Sequence, residues 1–167
     1  MPGTRIVFLC IAAAVLFGLV MDQITVRICV EYFSIAHPPV IRTNSPTLLA
    51  LYWGVAATWW VGFLLGVPLA IVCRAGAGPP LSAGQMVRPL GILLAVMGGC
   101  TLLSGITGGI LASRGIVTPG DWQWDIPEAA HTGFVADVFA HLAAYGAGFV
   151  GGIVLIIWAK RRRQRLR

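Results

Sequence analysis

The sequence predicts an all-α membrane protein, a four-transmembrane-helix bundle with a short strand-like extracytoplasmic loop, and three observations carry that expectation. Of 167 residues, 57% are hydrophobic and 11% charged, where a soluble domain carries about a quarter charged residues. Such a chain cannot cover itself with polar surface. The apolar residues gather in four nearly charge-free blocks, 6–21, 47–73, 89–113 and 133–159, three of them longer than the roughly 20 residues that cross a hydrocarbon core. Lys and Arg are distributed unevenly among the segments between the blocks, which sets an orientation. With the N-terminus inside, the cytoplasmic segments hold Arg5, Arg74, Arg88, Lys160, Arg161, Arg162, Arg163, Arg165 and Arg167, and the outer loops only Arg27, Arg42 and Arg114.

The first block is only 16 residues long and follows Arg5, so a cleaved signal peptide is the alternative to a first helix. Leu19-Val20-Met21-Asp22 offers no small-x-small cleavage step, and an uncleaved helix is expected. The outer loop 22–46 opens with Ile24-Thr25-Val26-Arg27-Ile28-Cys29-Val30-Glu31-Tyr32-Phe33, whose alternation of apolar and polar residues is strand periodicity. His37-Pro38-Pro39 breaks it. Ser45 and Pro46 then supply a helix cap and a first-turn proline for the second span. The cytoplasmic connection 74–88 contains Gly76, Gly78, Pro79, Pro80 and Gly84, which makes a flexible link between antiparallel helices and no fold of its own. The outer loop 114–132 leads to the fourth helix, and the basic tail 160–167 follows it directly. That tail reads as a stop-transfer anchor against anionic head groups and no nucleic-acid partner is expected. Residues 1–167 form a single membrane domain.

Helices two, three and four each carry glycines four apart: Gly62/Gly66, Gly105/Gly109 and Gly148/Gly152. This spacing lets a neighbouring backbone approach closely, within the chain first and in a homodimer or with a membrane-protein partner as the alternative. Trp53, Trp122, Trp124 and Trp158 fall where an aromatic belt would lie, whereas Trp59 and Trp60 fall nearer mid-helix, where an indole N–H needs a partner inside the bundle. Of the four cysteines, only Cys29 is expected outside, so no disulfide is implied.

The constellation with chemical potential is His131-Thr132-Gly133-Phe134-Val135-Ala136-Asp137-Val138-Phe139-Ala140-His141, continuing to Tyr145. At 100° per residue, Asp137, His141, Tyr145 and His131 share one helix face. Asp137 and His141 are four apart, so the carboxylate can orient the imidazole or join it on one ion. Glu31 and His37 of the first outer loop fall on the same side of the membrane. Together His37, His131, Asp137, His141 and Glu31 are candidate ligands for zinc or another divalent metal. The alternatives are hydrogen bonding between helices and proton-linked acid–base chemistry. The spacing lacks the HExxH arrangement of a zinc protease helix.

The stretches EYFSIAHPP (Glu31–Pro39) and HTGFVADVFAH (His131–His141) resemble those of small bacterial four-helix integral membrane proteins of no established activity. The resemblance implies a bacterial inner-membrane protein in contact with the lipid bilayer. The expected function is that of a binding or accessory protein with a polar extracytoplasmic pocket. A membrane-embedded metal-binding protein or metalloenzyme is the first alternative, and an oligomeric small-solute or ion transporter the second.

Overall fold

The computed structural model describes residues 2–76 and 78–166. Helix α1 spans Pro2–Thr25, α2 Val30–Ser34, α3 Pro46–Ala56, α4 Trp59–Arg74, α5 Ala83–Ser113 and α6 His131–Arg165. Two 3₁₀ turns, Gly120–Trp124 and Glu128–Ala130, lie between α5 and α6. With α3 and α4 taken as one broken span, four helices are long and apolar enough to cross a membrane: Pro2–Thr25, Pro46–Arg74, Ala83–Ser113 and Glu128–Arg165. Large apolar side chains such as Phe8, Leu64, Leu103 and Val150 stand exposed on each of the four, a surface that water would penalise and lipid would cover.

The strand expected over 24–33 is not there, and there is no strand among the described residues. Isolated strands lack hydrogen-bond partners, and here the backbone satisfies itself locally instead. The Val26 N–H donates to the Asp22 carbonyl and the Cys29 N–H to the Thr25 carbonyl, each at 3.0 Å. Asp22, Val26, Cys29 and Phe33 are all buried, a spacing of three and four that is helical rather than alternating. Helix α1 therefore runs four residues past the end of its apolar block and takes Asp22 out of the expected outer loop. His131 likewise opens α6 rather than closing a loop, and α6 continues through most of the basic tail.

The bundle is held by close backbone approach. Helix α5 packs most extensively on α6, and α1 packs on α3 and α4. A Cβ on Gly62 would sit 2.7 Å from the Cys10 carbonyl oxygen, and one on Gly66 would sit 2.9 Å from Cys10 Cβ. Gly105 faces Ala140 and Gly148 faces Met97. The glycine pairs are thus occupied by neighbouring helices of the same chain. An approach the spacing did not announce is that of Gly18 to Gly54, where a Cβ on Gly18 would meet the Gly54 carbonyl oxygen at 2.5 Å.

The second span breaks at Ala57–Thr58. Thr58 Oγ1 donates to the Gly54 carbonyl four residues back at 2.5 Å, which competes with the helical ladder and bends it. Past the break, Trp59 and Trp60 stand about half exposed, so they face away from the bundle interior in which a partner for their N–H was expected. The opposite end of the bundle is closed by Arg163. Its guanidinium donates to the carbonyls of Val72, Ala75, Gly76, Gly78 and Pro79. Arg163 is only 6% exposed, so one member of the basic tail is a core residue that ties α6 to the end of α4 and to Gly76, Gly78 and Pro79 beyond it.

Candidate ligand site at the α2 end of the bundle

Helix α2 lies across the end of the bundle as a roof. Phe33 packs with Val26, Leu49 and Ala50 against α3, and Cys29 packs with Ile126 and Phe134 against the start of α6. Gly133 makes the second contact possible, since a Cβ there would meet the Ile28 carbonyl oxygen at 2.8 Å. Beneath the roof is a cavity of about 110 Å³ between α1, α2, the break in the second span, and α6. Asp22, Tyr32, His37, Trp53, His141 and Tyr145 form the polar and aromatic part of its wall. A second cavity of about 60 Å³, lined by Leu65, Leu69, Leu93 and other apolar residues, adjoins it along the bundle axis. Ala14, Val61, Met97 and Gly148 line both.

The polar centre of the wall joins α1 to α6. His141 Nδ1 lies 2.8 Å from the Asp137 carbonyl oxygen, and a carbonyl only accepts, so Nδ1 carries hydrogen. His141 Nε2 then faces Asp22 Oδ1 at 3.3 Å. A neutral imidazole and an ionised carboxylate would present two acceptors to each other. The contact therefore holds a proton, as imidazolium beside carboxylate or as imidazole beside carboxylic acid.

Aromatic rings frame this pair. Tyr32 stacks on His141 with centroids 4.6 Å apart, and Phe33 meets the same imidazole edge-on at 5.8 Å. His37 lies 4.5 Å from Trp53 and nearly parallel to Phe33. His37 Nδ1 donates to the Tyr32 carbonyl at 2.7 Å, which leaves Nε2 as an acceptor on the neutral ring. Burial pushes His37 below the ordinary imidazole range, outweighing the Tyr32 carbonyl and Asp22, which pull the other way. Tyr32 is pushed up, by burial first and by Tyr145 and the nearby carboxylates second. Tyr145 donates to the Ala57 carbonyl at 3.2 Å, an acceptor at the break in the second span.

The five expected metal ligands do not assemble. His37 and His141 reach the cavity, whereas His131 sits by the Ile126 carbonyl, 3.3 Å from its Nε2. Glu31 accepts from Cys29 Sγ at 3.3 Å, and burial, with that carboxylate adding to it, pushes the Cys29 thiol up to about 12. Asp137 is fully buried, and neither carboxylate oxygen has a hydrogen-bond partner among the described residues. No three His, Cys, Asp or Glu side chains among the described residues come together where one ion would join them. The residue that sequence reasoning missed is Asp22. Its signal was the helical spacing of 22, 26, 29 and 33, hidden by the β-branched residues between them.

Comparison with protein-family models, with curated proteins and with solved structures finds no match for this chain. The chemistry of the site therefore carries the functional argument.

Proposed function

We propose that this is a multi-pass protein of the bacterial inner membrane, with both termini cytoplasmic, that acts as a binding or accessory protein and takes a small ligand into its extracytoplasmic pocket. The orientation follows from the placement of Lys and Arg, which gathers the basic tail and Arg74 and Arg88 at the end opposite α2. The observation that carries the reading is the roofed cavity itself, in which the Asp22–His141 pair and the rings of Tyr32 and Trp53 adjoin an apolar extension. Pockets that bind small molecules have this make-up, mostly apolar with a few convergent polar groups.

The test is mass analysis of organic extracts of protein purified in mild detergent, comparing the native chain with Ala144→Phe, which places a ring inside the cavity. A small molecule recovered in near-stoichiometric amount from the native protein and lost from the variant supports the reading. Identical extracts from both, or nothing from either, overturn it.

A further inference from the structure

The cavity wall holds one carboxyl group and several aromatic rings. No Lys or Arg lines it, and Arg27, in the turn after α1, is engaged with Gln23 and Thr47 instead. Asp22 lies in the wall. An anionic group entering here would find no Lys or Arg to pair with, and loss of the proton between Asp22 and His141 would leave a carboxylate facing it. Tyr32, Phe33, Trp53 and Tyr145 present aromatic rings to the same space, and ring faces attract cations, most strongly where water is excluded. The adjoining cavity of Leu65, Leu69 and Leu93 offers only apolar surface, which suits a hydrocarbon chain and no second polar group.

Resting on the binding reading above, we propose that the occupant is a lipophilic cation, an amine or quaternary ammonium bearing a short apolar chain, and that it enters in exchange for the proton held between Asp22 and His141. The charge of the site is conserved in the exchange. One cation enters and one proton leaves to solvent from the Nε2–Oδ1 contact. His141 is then neutral with its Nδ1 hydrogen on the Asp137 carbonyl, Asp22 is ionised, and the positive charge of the cation takes the place of the proton beside the two acceptors. The ionisable groups that surround the pair are Tyr32 of α2, His37 of the following loop, and Asp137 and Tyr145 of α6. Helices α3, α4 and α5 contribute no ionisable side chain to the cavity wall.

The experiment is calorimetric titration of the full chain in mild nonionic detergent with hexyltrimethylammonium, hexanol and hexanoate, each in two buffers of different protonation enthalpy. Hexyltrimethylammonium should bind about tenfold or more tighter than hexanol. It should release about one proton and therefore bind more tightly as pH rises, while hexanoate does not bind. Asp22→Asn should abolish the proton release and weaken the ammonium about tenfold while sparing hexanol. If hexanol or hexanoate binds as tightly as the ammonium, the cation assignment falls and the pocket reading stands. Ammonium binding without proton release overturns the exchange. If none of the three binds, the cation assignment falls, and an empty mass analysis alongside it removes the pocket reading as well. The ranking of the three probes and the proton count on the native chain decide the matter even if Asp22→Asn does not fold.

Discussion

His141 and Asp22 are 119 residues apart in the chain and meet at 3.3 Å, with the other imidazole nitrogen committed to the Asp137 carbonyl. The pair is a polar tie between the first and last membrane-length helices. Its geometry requires a hydrogen between Nε2 and the side chain at position 22.

That requirement predicts an unusual order of substitutions. Asp22→Asn supplies an amide N–H to the lone pair of Nε2, so the contact survives without a bound proton. Thermal unfolding in detergent should show a loss of less than about 1 kcal/mol for this variant. Asp22→Leu leaves Nε2 buried and unpaired and should cost about 1–3 kcal/mol. Equal losses for the two would mean that the contact contributes nothing specific.

The roof should loosen in acid. His37 has its protonation suppressed by burial in the folded state, so the unfolded chain binds a proton before the native one does, near the ordinary value of 6.5. The unfolded state then holds more protons over that window, and stability falls as pH drops through 6.5 and below. His37→Phe keeps a ring beside Phe33 and Trp53 while removing the titration and the hydrogen bond to Tyr32. It should lower the melting temperature at pH 8 and flatten the melting-temperature profile between pH 8 and 5 relative to the native protein.

Much of this architecture was legible because hydrophobicity is a local property. The four apolar blocks became the four membrane-length helices, and Gly62/Gly66, Gly105/Gly109 and Gly148/Gly152 are packing surfaces within the chain. The candidate site was half legible. His141 was visible as an ionisable group on an apolar helix, but the partner expected for it was the Asp137 carboxylate one turn back. The Asp137 backbone carbonyl takes that place, and the carboxylate partner comes from α1. Which residue crosses a bundle depends on helix rotation and length, and α1 outruns its apolar block by the single turn that carries Asp22. Arg163 was illegible for the same reason. In a run of identical charges, only the rotational position on α6 makes one of them face the core.

Glycines with and without a close neighbour should respond oppositely to alanine. Gly18→Ala drives a methyl group into the Gly54 carbonyl oxygen, a backbone atom that cannot rotate away, and should cost about 1–3 kcal/mol. Gly151→Ala meets the end of the Leu93 side chain, which can change rotamer, and should cost less. Gly98→Ala meets nothing within 4 Å and should stabilise α5 by up to about 1 kcal/mol through helix propensity. Melting temperatures in one detergent give the order directly. A Gly18→Ala variant as stable as Gly98→Ala would show that α1 and α3 are not in contact there.

Arg163 should behave as a structural residue and not as one more charge of the tail. The last carbonyls of a helix lack intrahelical partners and carry the negative end of its dipole. Val72 and Ala75 at the end of α4 are in that position, and Arg163 Nη1 satisfies both at 2.6 and 2.5 Å. Its Nη2 and Nε hold Gly78 and Pro79 at 2.9 and 3.1 Å, so one planar fork fixes the helix end and the connection after it. Lysine has one compact ammonium on a flexible stem and cannot span acceptors set so far apart. Arg163→Lys should therefore lose nearly as much stability as Arg163→Met, about 2–4 kcal/mol. Both should expose the 74–88 connection, with its Arg74, to limited trypsin digestion. Arg161→Met, which removes an exposed charge of the same run, should change neither readout. Protection of Arg74 from trypsin in Arg163→Met would show that the connection is ordered without the guanidinium.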